Sequence, residues 1–383
     1  MELSSEDALR LNVLIANAQA VRIDENNMVV YGLNGEQEMK FPLNPTGRSD
    51  QYLQKVRETL SSAVLDSPGG YPVFMRRWTR MGQIDNDQLD RLLKIGEPEA
   101  VMAVVCSRSL SNELARCAWW CAPYSEHARR MLESPTVVAE EMGKVLADHL
   151  IEHLPFETEP SDMLNTVRLV LQPGLIDEEQ QQKLWESGGR NKSYRIGFLE
   201  TLAHDLPEKQ AARVDLEKYR ERLLTLTDNR YAQQLLNILG EEGQSFLAIA
   251  DDVMQNPADQ DVASELFNVL GRYFALPNRL EELRELADVE VEVARLLAED
   301  EELQALQQKL PELLEEIRAL LTLAHISEYL LNPIFGQTDA IGTVMNEKIE
   351  PVTLPLRRLI ALLCGQDPQA VSGKRRRSRR RQA

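Results

Sequence analysis

Cysteine is scarce and scattered in this chain, with four residues at 106, 117, 121 and 364 of 383. That excludes a disulfide framework. Aromatic residues are only 5% of the whole, so a core has to come from aliphatic side chains. The abundance of Leu, Glu and Ala favours packed helices. No run of about 18 apolar residues is present to span a bilayer. The opening Met1-Glu2-Leu3-Ser4-Ser5-Glu6-Asp7 is acidic. It lacks the positive start and continuous apolar stretch of a secretory signal, which predicts a cytoplasmic protein with reduced thiols. Nucleotide and hydrolase signatures are missing as well. There is no G-x-x-x-x-G-K-S/T, no G-x-G-x-x-G after a strand and no G-x-S-x-G.

Positive charge is the next shortage, and its distribution is uneven. The chain carries 43 Lys+Arg against 61 Asp+Glu, a net of −18. Seven of those cations, Lys374, Arg375, Arg376, Arg377, Arg379, Arg380 and Arg381, stand within eight consecutive positions. Without them the balance is 36 against 61, a net near −25. An acidic body thus ends in a cationic arm suited to a polyanion such as RNA, DNA or an acidic protein. The same arm can fold back onto its own acidic body.

The periodicities predict a mostly α-helical protein with a small N-terminal β meander. Beyond it they predict an irregular helical-repeat (armadillo- or HEAT-like) or multi-helix array and a C-terminal helical bundle. Four segments follow. Residues 1–67 hold a helix capped at Ser4 or Ser5, strand-like runs at Val21–Ile23, Met28–Tyr31 and Met39–Leu43, and a second helix. Asp24–Asn27 and Gly32–Gly35 read as the turns between the strands. Residues 68–206 read as a helical-hairpin array that includes helices over 72–81 and 135–154. Residues 207–366 read as a bundle of longer helices, and 367–383 as a disordered basic tail. Leu303, Leu306, Leu310, Leu313, Ile317, Leu320 and Ala324 form a heptad seam. Pro311 predicts a break at Leu310. Such a seam serves either an internal antiparallel bundle or a dimer. The last helix is expected around Leu356–Leu363.

Three constellations carry possible chemistry. His149-Leu150-Ile151-Glu152-His153 matches H-x-x-E-H, where two histidines one helical turn apart hold zinc and the glutamate activates water. The competing reading is an amphipathic helix with Val145, Leu146, Leu150 and Leu154 inward and Asp148, His149, Glu152 and His153 outward. Cys117 and Cys121, one turn apart around Trp119-Trp120, could form a thiol metal or redox pair completed by Cys106 or His127. The competing reading makes them small apolar fillers. Ser187–Arg195, with Arg190, Lys192 and Arg195 beside Tyr194, is a basic and aromatic patch, and Arg76–Arg80 is another. Either could hold a phosphate or a base, or be surface charge paired with carboxylates. On balance the expectation is a protein without catalytic residues, cofactor or metal.

Five strings stand out together: Asn44–Arg48, Gly69–Val73, Arg77–Gln83, Gly96–Val101 and Leu171–Asp177. They resemble the S proteins encoded in the dissimilatory sulfite reductase (dsr) gene clusters of sulfur-oxidising bacteria, over roughly residues 1–335. The resemblance leaves the basic tail uncovered. It implies a soluble cytoplasmic accessory or regulatory protein beside the reverse-acting sulfite reductase system, working through protein–protein interaction. It supplies no catalytic residue. Sulfur carriers of that pathway use reactive cysteines on flexible arms or strands, unlike the helical Cys106, Cys117 and Cys121.

Overall fold

A computed structural model describes residues 3–45, 47–65, 86–274, 276, 280 and 282–371. Among these the protein is mostly helical, with one small antiparallel sheet near its N-terminus. The expected helix over 72–81, the Arg76–Arg80 patch and the cationic tail lie outside the described residues. No helix among the described residues is long and apolar enough to cross a membrane. The chain forms two compact units, residues 1–155 with 172–176 and residues 156–171 with 177–383. The expected break near residue 206 does not coincide with that division, because helices between 160 and 201 pack with later ones.

In the first unit, Ser4 caps helix α1 (Ser5–Asn17) by accepting the Asp7 amide at 3.1 Å. Leu11 and Leu14 on its inner face cover a meander of β1 (Ala20–Asp24), β2 (Val29–Asn34) and β3 (Gln37–Pro42). Strand order is β1-β2-β3, and Val21 pairs with Gly32 and Tyr31 with Lys40. Gly32 lets the helix approach, since a Cβ there would stand 2.4 Å from Leu14 Cδ1. For that reason Gly32-Leu33-Asn34 extend β2 instead of turning. The turn is the two residues Gly35-Glu36, with Gly35 at φ +58°. Helix α2 (Ser49–Leu65) closes this core with Tyr52, Val56 and Leu60.

A carboxylate sits inside the same core. Asp7 is fully buried and accepts from the Asn44 amide at 2.9 Å, from Asn44 Nδ2 at 3.3 Å and from the Tyr52 hydroxyl. Burial pushes its pKa up. The hydrogen bonds from Tyr52, Asn44 and Ser4 outweigh that and hold it below the ordinary value.

Among the described residues six further α-helices belong to the unit: α3 (Asn86–Leu92), α4 (Pro98–Val105), α5 (Asn112–Cys121), α6 (Ser125–Met131), α7 (Pro135–Val138) and α8 (Glu141–His153). The single helix expected over 135–154 is two. The β-branched run Thr136-Val137-Val138 supports only one short turn of helix before the chain restarts at Glu141. The inward face of α8 is also rotated from the expected one. Ala147 is buried with Leu146 and Leu150, while Val145 is exposed.

The second unit holds α9 (Pro160–Val170), α10 (Glu178–Ser187), α11 (Lys192–Thr201), α12 (Leu216–Leu224), α13 (Arg230–Leu239), α14 (Glu241–Gln255) and α15 (Gln260–Tyr273). It continues with α16 (Leu286–Glu299), α17 (Glu301–Lys309), α18 (Leu314–Ala324), α19 (Asn332–Phe335) and α20 (Gly342–Leu363). Every residue of the heptad seam is buried. The break falls at Leu310, at φ −136° and ψ 63°, and Pro311 opens a 3-10 turn that leads into α18. Helices α17 and α18 pack on α13, α15, α16 and α20 of the same chain, so the seam is used internally.

Helix α20 begins 14 residues before Leu356, earlier than its pattern suggested. Pro351 and Pro355 lie inside it and conceal it from periodicity. Both prolines are on the exposed face of the helix.

Arg213 binds this unit together. Its side chain, 9% exposed, donates to Asp215 Oδ1 at 2.6 Å and Oδ2 at 2.9 Å, to Glu316 Oε1 of α18 at 2.8 Å and to the Leu362 carbonyl of α20 at 3.4 Å. Removing the cation leaves the buried Glu316 carboxylate and the half-buried Asp215 carboxylate without their partner. Arg213→Met is therefore expected to lower unfolding stability by about 3–5 kcal/mol, read as a fall in the guanidinium chloride midpoint. An unchanged midpoint would show that the network does not hold α18 and α20 in place.

Candidate functional site

The H-x-x-E-H string lies on α8, in the first unit. Its two histidines do not splay around a common point. Their rings stack at 3.9 Å with planes 26° apart, and Trp119 of α5 meets His149 edge-on at 4.7 Å. His149 Nε2 is 3.5 Å from Ser125 Oγ. His153 Nδ1 is 2.9 Å from the His149 carbonyl, back along its own helix. Glu152 is exposed. Among the described residues, no group of three or more His, Cys, Asp or Glu side chains is placed to hold a metal ion. Burial lowers the His149 pKa, and His153 beside it adds to the effect against the opposing pull of Glu152.

Cys117 and Cys121 share α5 with that tryptophan. Cys117 is buried, with Sγ 3.8 Å from Glu113 Oε1, and burial foremost pushes its pKa up to about 11. Cys121 Sγ is 3.6 Å from the Val21 carbonyl of β1, and burial pushes its pKa up to about 12. Nucleophilic and metal-binding sulfur is thiolate, and both positions hold the thiol. His127 is buried, its Nδ1 2.9 Å from the Ala122 carbonyl, and so serves the backbone between α5 and α6. The exposed thiol is Cys106, at the end of α4, with Sγ 3.6 Å from Met102 Sδ.

The second unit contains the basic and aromatic patch. Helix α10 ends at Ser187, and Gly188-Gly189 turn the chain. Asn191 caps α11 by accepting the Ser193 amide at 3.1 Å. The Arg195 side chain runs back from the first turns of α11 and lies flat on Trp185, with Cζ 3.4 Å from the ring centre. Arg195 is 9% exposed, and its Nη1 is buried without a hydrogen-bond partner. Gly188 makes room for this packing, since a Cβ there would stand 3.2 Å from Arg195 Nε. Burial lowers the Arg195 pKa, with Glu208 and Asp252 acting in the opposite sense. Asp252 is itself ion-paired with Lys192.

The patch therefore differs from ordinary paired surface charge. Lys192 has its carboxylate, while Arg195 makes no hydrogen bond or ion pair among the described residues. An effective penalty of several kcal/mol attends a buried unpaired ion. A desolvated cation–π contact returns about 2 kcal/mol, so Trp185 alone does not compensate. The sequence placed these residues together, but the burial of Arg195 was not readable from it. Only the adjacent glycines hinted at a close approach.

No protein family, curated protein or solved structure matches the chain.

Two outcomes follow from this geometry. In native protein at neutral pH, a thiol reagent should modify the exposed Cys106 rapidly, the partly exposed Cys121 more slowly and the buried Cys117 only on unfolding. Fast labelling that survives Cys106→Ser and maps to Cys117 or Cys121 would contradict the packing. In an NMR titration, His149 should show a midpoint below the ordinary 6.5, and His153→Gln should raise it. Because the folded value is depressed, this histidine's contribution to stability is kept above pH 6.5 and lost as the pH falls through the folded value. A midpoint at or above 6.5 would contradict the stacked arrangement.

Proposed function

We propose that the chain is a non-catalytic accessory or regulatory protein of dissimilatory sulfur oxidation, acting in the cytoplasm by binding a protein partner of the reverse sulfite reductase system. The observation that carries the non-catalytic part is the state of the two helical cysteines. Their thiols are held protonated by burial, with pKa values pushed up to about 11 and about 12. That is a poor starting point for carrying sulfur or binding metal.

The resemblance to the dsr-cluster S proteins supplies the pathway. Where its strings are described, they form turns and caps. Gly96, at φ +67°, precedes Pro98 at the start of α4. Gly174, at φ +83°, precedes Asp177, which forms a capping box with Gln180 at the start of α10. Such strings preserve a fold rather than a reaction, which suits a protein that works through its surface. Gly69–Val73 and Arg77–Gln83 lie outside the described residues.

A second reading rests on the tail. Seven cations in eight positions favour contact with RNA or DNA through released counterions, and hence a nucleic-acid-linked regulator. Zinc hydrolysis or thiol sulfur transfer is the remaining rival. It would show as bound metal that disappears in His149→Ala, or as a persulfide on Cys117 or Cys121 by mass spectrometry.

A pull-down from native lysate separates these readings, using the full chain and the chain truncated after Gly373, each with and without nuclease. Sulfite reductase components retained by both chains after nuclease are the expected result. Capture of RNA, DNA or ribosomal proteins that depends on the tail or is abolished by nuclease would replace the accessory reading with the nucleic-acid one.

A further inference from the structure

We propose that Arg195 anchors a binding site for a small tetrahedral oxyanion of the phosphate or sulfate class, at the Gly188-Gly189 turn and the amino end of α11. Arg195 is 9% exposed as a residue, and its buried Nη1 has no acceptor. A guanidinium carries five N–H donors in a fixed fork that matches two oxygens of one oxyanion. An unsatisfied buried donor of this strength calls for an explanation, and an absent ion is the one its surroundings favour.

Those surroundings combine a helix amino end and neighbouring cations with two carboxylates. Helix α11 has no acidic residue in its first turn, so the positive end of its dipole is uncompensated there. Arg190 and Lys192 flank the cap. Two carboxylates act on Arg195 without a hydrogen bond to it. Glu208 has the larger effect of the two, and Asp252 pairs with Lys192. They temper the positive field and leave the donors of Arg195 unspent. Trp185 covers one face of the guanidinium and fixes its plane, so a ligand approaches along the edge.

The glycine turn provides the access. Gly189 is exposed, and a Cβ there would stand 4.0 Å from Arg195 Nη2. The Glu186 carbonyl, 3.2 Å from the same Cβ position, is the nearer atom there. A guanidinium fork beside a helix amino end suits the oxygens of a phosphate or sulfate ion. The site is separate from the helical cysteines and histidines and does not depend on the pathway assigned above.

The test uses the full chain. Isothermal titration calorimetry with inorganic phosphate, and separately with sulfate, is run against chloride at matched ionic strength. The variants are Arg195→Met and Gly189→Val, and the chain truncated after Gly373 isolates any contribution of the tail. Expected is saturable one-to-one binding that survives truncation. It should weaken by at least about tenfold in Arg195→Met, with the helical circular dichroism spectrum unchanged. Gly189→Val, which crowds the open side without removing the charge, should weaken it as well, and it decides the matter if Arg195→Met does not fold. Which of phosphate and sulfate binds tighter identifies the preferred anion. Absence of saturable binding to either, binding that disappears with the tail, or affinity in the Arg195 and Gly189 variants equal to that of the unaltered chain would each overturn the proposal.

Discussion

A cation withdrawn from water has to be met by groups that replace its hydration, and in the second unit that requirement organises three distant stretches of chain. Arg213 precedes α12, Glu316 lies on α18 and the Leu362 carbonyl belongs to the last turn of α20, and one guanidinium reaches all of them. Leucine seams can slide by a turn at modest cost, because one aliphatic contact resembles another. A forked guanidinium between two carboxylates and a carbonyl has one geometry. The apolar seam from Leu303 to Ala324 supplies the burial, and Arg213 fixes how the helices are set against one another. Asp7 performs the converse task in the first unit. There an anion is met by Ser4, Asn44 and Tyr52, which ties α1, the exit of β3 and α2 around a single carboxylate.

The broad architecture was legible because its signals are local. Ser4 ahead of a helical pattern and Pro311 inside a leucine repeat each act within a few residues of themselves, and each stands where expected. The misreadings share a different cause. Gly32 looked like a turn residue, yet its lack of a side chain serves helix α1 crossing above it. Val145 looked inward by periodicity, yet the neighbours that bury Leu146 and Ala147 leave it outside. Contacts between residues far apart in sequence decided both, and no local pattern encodes them.

The chemistry was legible to a lesser degree, for the same reason. Residue types and spacing made His149, Glu152 and His153 resemble a zinc motif, but ligation depends on where ring nitrogens point, and here the rings stack. Spacing also singled out Cys117 and Cys121, whereas exposure, which spacing does not report, belongs to Cys106. Arg195 reverses the lesson. Its neighbours in sequence suggested a solvated patch, and the packing of Trp185 and Gly188 removed the guanidinium from water. Two arginines of one unit thus occupy similar burial with opposite pairing, Arg213 saturated and Arg195 open.

The two prolines of α20 bear on how the helix comes to exist. Each disfavours helical geometry in the residue before it, so Glu350 and Leu354 in a free chain lean toward extended conformations. A peptide of this sequence would be a poor helix in water, and nucleation is already costly for sequences without prolines. The helix is imposed by docking, through Met345, Ile349, Leu356 and Ile360 against α14 and α18. The last long element before the basic arm is thus a conditional one. Its order is borrowed from the bundle, and loosening the bundle would return it to coil before the helices whose order is intrinsic.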